Sequence, residues 1–179
     1  DFEKLDKSEN FYQRNSFPIK FIFQFLKKHG RRLEDLPIKA KLSIKRDDIE
    51  IPTRIRIDEE LLEAVGLYIA EGFARKKESV NDEKGFYQIS IAGNNEIKGF
   101  IKKVFSSHFG LKQSYENKDQ VTFSSRIIYE FFTKYLRVGS RAGEKRIPQI
   151  FLNLKKEKIA ALLRGYFEGD GSVSLQQKR

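Results

Sequence analysis

Glu71 and Asp170 are the residues best placed to do chemistry, because each ends a short pattern that the chain contains twice. The first copy is Gly66-Leu67-Tyr68-Ile69-Ala70-Glu71-Gly72 and the second is Gly165-Tyr166-Phe167-Glu168-Gly169-Asp170-Gly171. In each copy small residues recur four apart, Gly66 with Ala70 and Gly165 with Gly169, which on a helix leaves a shallow strip that another backbone can approach closely. Gly72 and Gly171 suit the left-handed position just past a helix C-terminus, so each acid falls in a last turn. A carboxylate there faces the negative end of the helix dipole, at a cost of about 0.3–1 kcal/mol. The same misplacement in both copies implies a cation that compensates both. If the helices cross through their small strips, the two carboxylates sit side by side as a hard-cation site suited to Mg²⁺, for which Mn²⁺ is the usual substitute.

The elements that must position these acids can be read from hydrophobic spacing. Asp58 to Glu71 reads as a helix, with Asp58, Glu59 and Glu60 at its favourable N-terminal end and Leu61, Leu62, Val65 and Tyr68 along it. Strands are predicted near Phe73 to Lys77 and Phe86 to Ala92, the second alternating Tyr87, Ile89 and Ile91 with Gln88 and Ser90. A helix capped by Asn94 follows over Asn95 to Phe109 and ends at Gly110. Strands near Lys112 to Glu116 and Gln120 to Ser124 flank the turn Asn117-Lys118-Asp119, and Arg126 to Leu136 reads as one more amphipathic helix. The fold class is therefore α/β (α+β). Upstream, Ile19, Ile22, Phe25 and Leu26 mark a short amphipathic helix from Phe17 to Gly30.

These residues resemble the LAGLIDADG (DOD-type) homing endonucleases in their two-motif form. Aligned on the last glycine, the family's terminal acid falls on Glu71 and Asp170; Ile69 departs from the family's inner acid, whereas Glu168 keeps it. Lys145-Arg146-Ile147-Pro148 looks like the K-x-I-P block between the two motifs of intein endonucleases, which implies an archaeal-type intein as parent. The resemblance covers Asp58 to about Val173. It implies an αββαββα half-domain whose curved antiparallel sheet forms one side of a DNA-binding saddle. It also implies Lys145 as the basic residue beside the catalytic acids, and metal held by Glu71 and Asp170 with help from the backbone carbonyls of Ala70 and Gly169.

The activity implied is metal-dependent, site-specific hydrolysis of double-stranded DNA. The polar alternates Arg75, Lys77, Gln88, Ser90, Lys112, Gln113, Ser114, Thr122 and Ser124 are the candidate DNA contacts on the sheet, joined by Arg54, Arg56 and Arg146. For any single one an ordinary solvated strand face is the better reading than base contact; as a set on one face with this net charge they favour DNA, a long target read by many weak contacts.

Composition agrees and excludes other chemistries. A net charge of +10 points to an anionic partner, and nucleic acid is favoured over a membrane surface because no apolar run approaches the ~20 residues of a spanning helix. With no cysteine there are no disulfides, thiolate metal sites or cysteine nucleophiles. His29 and His108 both precede helix-ending glycines and read as dipole partners or packing residues, which disfavours histidine-metal and Ser-His-Asp mechanisms. The phenylalanines and tyrosines mostly sit at helix-core spacing, as packing rather than base-stacking platforms. No secretory signal is visible, which places the chain in the cytoplasm.

The expected organisation is an N-terminal extension or linker over 1–57, a first subdomain over 58–150 and the start of a second over 151–179. The basic stretch Lys41 to Arg56, with Lys45 and Arg46, either contacts phosphates or is a solvated linker. Because the chain stops at Arg179, a second chain or a following segment is expected to complete the saddle. With Asp1 at its start and no His-Asn end, self-splicing is not expected. Two rivals remain open: a DNA- or RNA-binding module on the same scaffold that does not cleave, such as a regulator or maturase, and two glycine-rich helices packed in an ordinary α/β core.

Overall fold

The computed structural model describes residues 16–44, 49–78 and 85–170, which fall into two units divided at Ala40–Lys41. In the first unit, helix α1 (Ile19–Lys28) starts after Pro18 and ends at His29, followed by Gly30 at φ 62°. Phe17, Phe21 and Phe25 stack along it with centroids 5.9 and 6.3 Å apart.

The second unit opens with the antiparallel strands β1 (Lys41–Ser43) and β2 (Glu50–Pro52). The boundary expected at residue 57 falls earlier because Ile51 is buried in the core of this unit and Ile49, Ile55 and Ile57 pack against it. Such apolar anchors are incompatible with a solvated linker.

Helix α2 (Glu59–Glu71) carries the first pattern. Asp58 caps it by accepting from the Leu61 N–H at 3.0 Å. Burial works against ionisation of Asp58, yet hydrogen bonds from the Leu61 amide, His108 and Arg56 outweigh it and hold the carboxyl below its ordinary range. His108 Nε2 lies 2.8 Å from the same carboxylate, so the end of one helix is tied to the start of another. The chain then enters strand β3 (Gly72–Lys77) directly. Gly72 is extended, at φ −90° and ψ 161°, rather than left-handed. Glycine is required there because a Cβ would collide with the ring and carbonyl oxygen of Tyr68.

Strand β4 (Phe86–Ala92), helix α3 (Asn95–Phe109), strands β5 (Tyr115–Glu116) and β6 (Gln120–Ser124), and helix α4 (Arg126–Glu130) follow. Asn94 caps α3 and Gly110 ends it in the left-handed conformation, φ 65°. The sheet is antiparallel in the order β3-β4-β6-β5. Ile89, Ile91, Val121 and Phe123 point to the helix-covered face, where Phe105 stacks on Phe123 at 4.0 Å.

Two elements are shorter than their sequence implies. Lys112 and Gln113 precede β5 rather than forming it; Ser114 alone continues toward β6, donating its N–H to the Thr122 carbonyl. The buried Lys98 fixes the next turn by donating to the carbonyls of Asn117 and Lys118 at 2.6 and 3.1 Å. The helix expected over Arg126 to Leu136 is α-helical only to Glu130, and Phe131–Tyr135 forms a π turn. This wider turn seats Phe132 against Tyr68 and Phe105 at 4.9 and 6.0 Å. Helix α5 (Lys156–Asp170) carries the second pattern. Gly171, the tail beyond it, Lys45 and Arg46 lie outside the described residues.

Candidate functional site

Glycine makes the crossing of α2 and α5 a contact of backbone on backbone. A Cβ on Gly66 would strike the Leu162 carbonyl oxygen and lie 2.7 Å from the Tyr166 nitrogen. On Gly165 it would strike the Glu63 carbonyl oxygen and lie 2.8 Å from that carbonyl carbon. Farther along, a Cβ on Gly169 would meet Ala70 Cβ and, at 3.0 Å, Glu71 Cγ. The Glu71 side chain therefore starts beside Gly169, the residue before Asp170, and both helices end with an acid at the same end of the crossing.

Two cross-links fix the pairing. Arg164 donates to Glu63 Oε2 through Nε at 2.9 Å and Nη2 at 2.5 Å, and Lys158 Nζ donates to the Ile57 carbonyl at 2.6 Å. Sequence reading missed both. Glu63 and Arg164 border the small strips, but the two charges stand among other charged residues on their helices, so neither sequence alone marks them as a pair.

Glu71 is half-buried and Asp170 exposed. Among the described residues no group of three or more His, Cys, Asp and Glu side chains gathers to hold a metal. The donors available at the crossing are two carboxylates and the adjoining carbonyls, a hard-oxygen set. That set fits Mg²⁺, which binds through one or two carboxylates and keeps water or phosphate oxygens on its remaining positions.

Lys145 reaches the same end of α2. Its Nζ donates to the Tyr68 carbonyl at 2.5 Å and lies 3.3 Å from the centre of the Tyr68 ring. Tyr68 precedes Glu71 by one helical turn, and its carbonyl also accepts the Gly72 N–H. The Tyr68 hydroxyl in turn donates to the Gly139 carbonyl at 2.8 Å, fastening the loop that carries Lys145. Burial raises the Tyr68 pKa, so the phenol remains a donor.

Burial also pushes the Lys145 ammonium down to about 7, which leaves a large neutral fraction at physiological pH. The sign for stability follows. Below pH 7 the folded state must hold the charge in this setting. Between about 7 and the ordinary lysine value near ~10.4, the unfolded chain holds a proton that the folded chain lacks, so stability rises with pH. Thermal melts at pH 6, 8 and 10 should therefore show the wild type gaining on Lys145→Met as pH rises. A constant difference would mean that Lys145 titrates normally.

The sheet face away from the helices is polar and internally connected. Arg75 Nε donates to Gln88 Oε1 at 2.7 Å, Gln88 Nε2 to Ser124 Oγ at 3.2 Å, and Ser124 Oγ meets Ser114 Oγ at 2.8 Å. Four of the candidate contacts thus form one chain across the sheet. Ser90 and Thr122 do not present themselves as readers: both are buried and bond each other at 2.8 Å. The larger Phe73 and Tyr115 stand beside them in register. Lys77, Lys112 and Gln113 are exposed, whereas Arg56 is held by Asp58 at 2.8 Å on the α2 cap. Arg54 is exposed near β2, and Arg146 is exposed next to Lys145.

A family profile described as a LAGLIDADG-like domain matches residues 157–179, a stretch that includes most of α5 with Gly165, Gly169 and Asp170. Over that stretch the chain is similar to LAGLIDADG-like domains. Over 95% of its length the chain is 34% identical to part of a DNA polymerase II large subunit of Thermococcus kodakarensis, covering 9% of that protein. Over 79% of its length it is 27% identical to part of the RNA polymerase subunit Rpo1C of Methanocaldococcus jannaschii, covering 16%. It is 30% identical over 79% of its length to part of the helicase Hel308 of Thermococcus kodakarensis, covering 12%. The chain thus spans a small fraction of each of these curated relatives.

Proposed function

We propose that this chain is the catalytic portion of a divalent-metal-dependent, site-specific DNA endonuclease carried within an intein. The observation that carries the reading is the crossing itself, which brings Glu71 and Asp170 to one end of two helices and packs Lys145 on the turn before Glu71. The relatives support the insertion: a similar segment recurs as a small part of a DNA polymerase subunit, an RNA polymerase subunit and a helicase, three different proteins.

Glu71, Asp170 and the carbonyls of Ala70 and Gly169 would hold Mg²⁺, which would supply Lewis acidity toward a phosphate oxygen and a more acidic bound water. The residues of the chain do the rest. Each acid serves one strand of the duplex. Lys145, neutral in large part near pH 7, accepts a proton from water or supports the charge that develops at phosphate. Arg75, Gln88, Ser114 and Ser124 present a linked polar row to the groove, in which each donor or acceptor orients the next.

The reading is tested by titrating the protein with Mn²⁺ and following the paramagnetic broadening of amide signals. Signals at the ends of α2 and α5 should broaden together, and Mg²⁺ should reverse the effect by competition. Broadening that is scattered over surface acids, or that survives in Asp170→Asn, would remove the metal centre from this crossing.

A further inference from the structure

Beyond the sheet edge the loop after the π turn encloses a second cationic feature. An open pocket of about 460 Å³ is lined by Thr133, Lys134, Arg137, Gly139, Ser140, Glu144 and Arg146. Its construction brings like charges together. The Arg146 N–H donates to the Val138 carbonyl at 2.9 Å, closing the loop and setting Arg146 against the stretch that begins at Arg137. Arg137 holds a left-handed backbone, φ 56°, the one positive-φ non-glycine among the described residues. Gly139 at φ 98° makes room for the Glu144 carbonyl.

Glu144, whose Oε2 accepts the Ser140 N–H at 3.0 Å, is one carboxylate against two arginines and leaves the pocket with net positive charge. Lys134 is held by Glu130 at 2.7 Å, on the rim. Arg137 and Arg146 therefore line one concave space, and an oxyanion offers a guanidinium paired acceptors. An outlier backbone at such a place fits a residue retained for its side chain.

The pocket is joined to the DNA-reading sheet. The Ser140 carbonyl accepts the Ala74 N–H at 2.9 Å, so the loop runs along the free edge of β3 next to Arg75. We propose that this pocket is a clamp for one backbone phosphate of duplex DNA, held by Arg137 and Arg146 outside the groove-facing row. The proposal rests on the DNA-binding reading given above. It assigns affinity without sequence preference to Arg137, because a phosphate carries no base identity.

The test is the salt dependence of binding. Fluorescence anisotropy with 30-bp duplexes of unrelated sequence, over a series of NaCl concentrations, gives the slope of log K against log salt. Loss of a phosphate contact lowers that slope by roughly 1. Arg137→Gly removes the guanidinium while giving φ 56° to the residue that tolerates it best, so the fold is retained. Arg146→Gln is the second variant. The double variant should show a slope lower by about 1 and weaker binding to every duplex alike, with the two proteins converging at high salt. Slopes equal to the wild type would overturn the clamp while leaving DNA binding in place. Absence of salt-dependent binding by the wild type to any duplex would overturn the DNA reading and the clamp with it.

Discussion

Glu71→Gln is expected to abolish double-strand cleavage while leaving duplex binding near the wild-type level. The change is isosteric and the side chain is only half-buried, so the fold loses little. What disappears is one of two anionic oxygen donors at the helix ends. Electrostatic stabilisation by a bound ion is worth several kcal/mol, and removing about 4 kcal/mol slows a reaction by roughly three orders of magnitude. Asp170→Asn should act on the same scale. If each acid serves one strand, a single substitution leaves nicked circles at most when supercoiled plasmid carrying a target is the substrate. Linear product from either variant at the wild-type rate would show that these carboxylates do not hold the catalytic ion.

The second large effect concerns stability. Gly165→Val places a Cβ on the Glu63 carbonyl, which belongs to helix backbone and cannot turn aside as a side chain can. The helices must separate, and the contacts that follow Gly66 and Gly165 toward the acids separate with them. Overpacking of a tight core costs about 1–3 kcal/mol, and a backbone collision belongs at the upper end. For a chain of this size that lowers Tm by roughly 6–12 °C. Gly99→Ala is the control. Gly99 lies within α3 with nothing near its missing Cβ, so alanine there should stabilise by up to ~1 kcal/mol through helix propensity. A Gly165→Val protein that melts with the wild type would mean that the crossing does not hold the two motif helices together.

The elements that surround the centre were legible wherever a local rule sufficed. Asp58 and Asn94 read as caps and accept amides three residues on. Gly110 reads as a helix stop and is left-handed. Alternation marked β4 and β6 because one of their faces is covered by helices. Local rules failed where a neighbour distant in sequence decides. Gly72 ends its helix as read, but extended rather than left-handed, because the chain passes straight into β3. Ser90 and Thr122 alternate like exposed residues, yet each satisfies the other's hydroxyl and disappears from the surface. The small strips of the two motifs were visible as spacing. The Arg164–Glu63 pair that helps fix their crossing was not, because nothing in either helix alone says that the charges meet.

That crossing also sets an order of events. Arg164 and Glu63 are 101 residues apart in the chain, and the helices they join enclose the sheet and two further helices between them. Closing so long a loop costs entropy that only the finished intervening structure offsets, so the contact belongs to the late stage of folding. During synthesis the first acid waits, folded or not, until the last turn of α5 has emerged. If Glu71 and Asp170 form one hydrolytic centre, that centre acquires its second carboxylate only when α5 is in place.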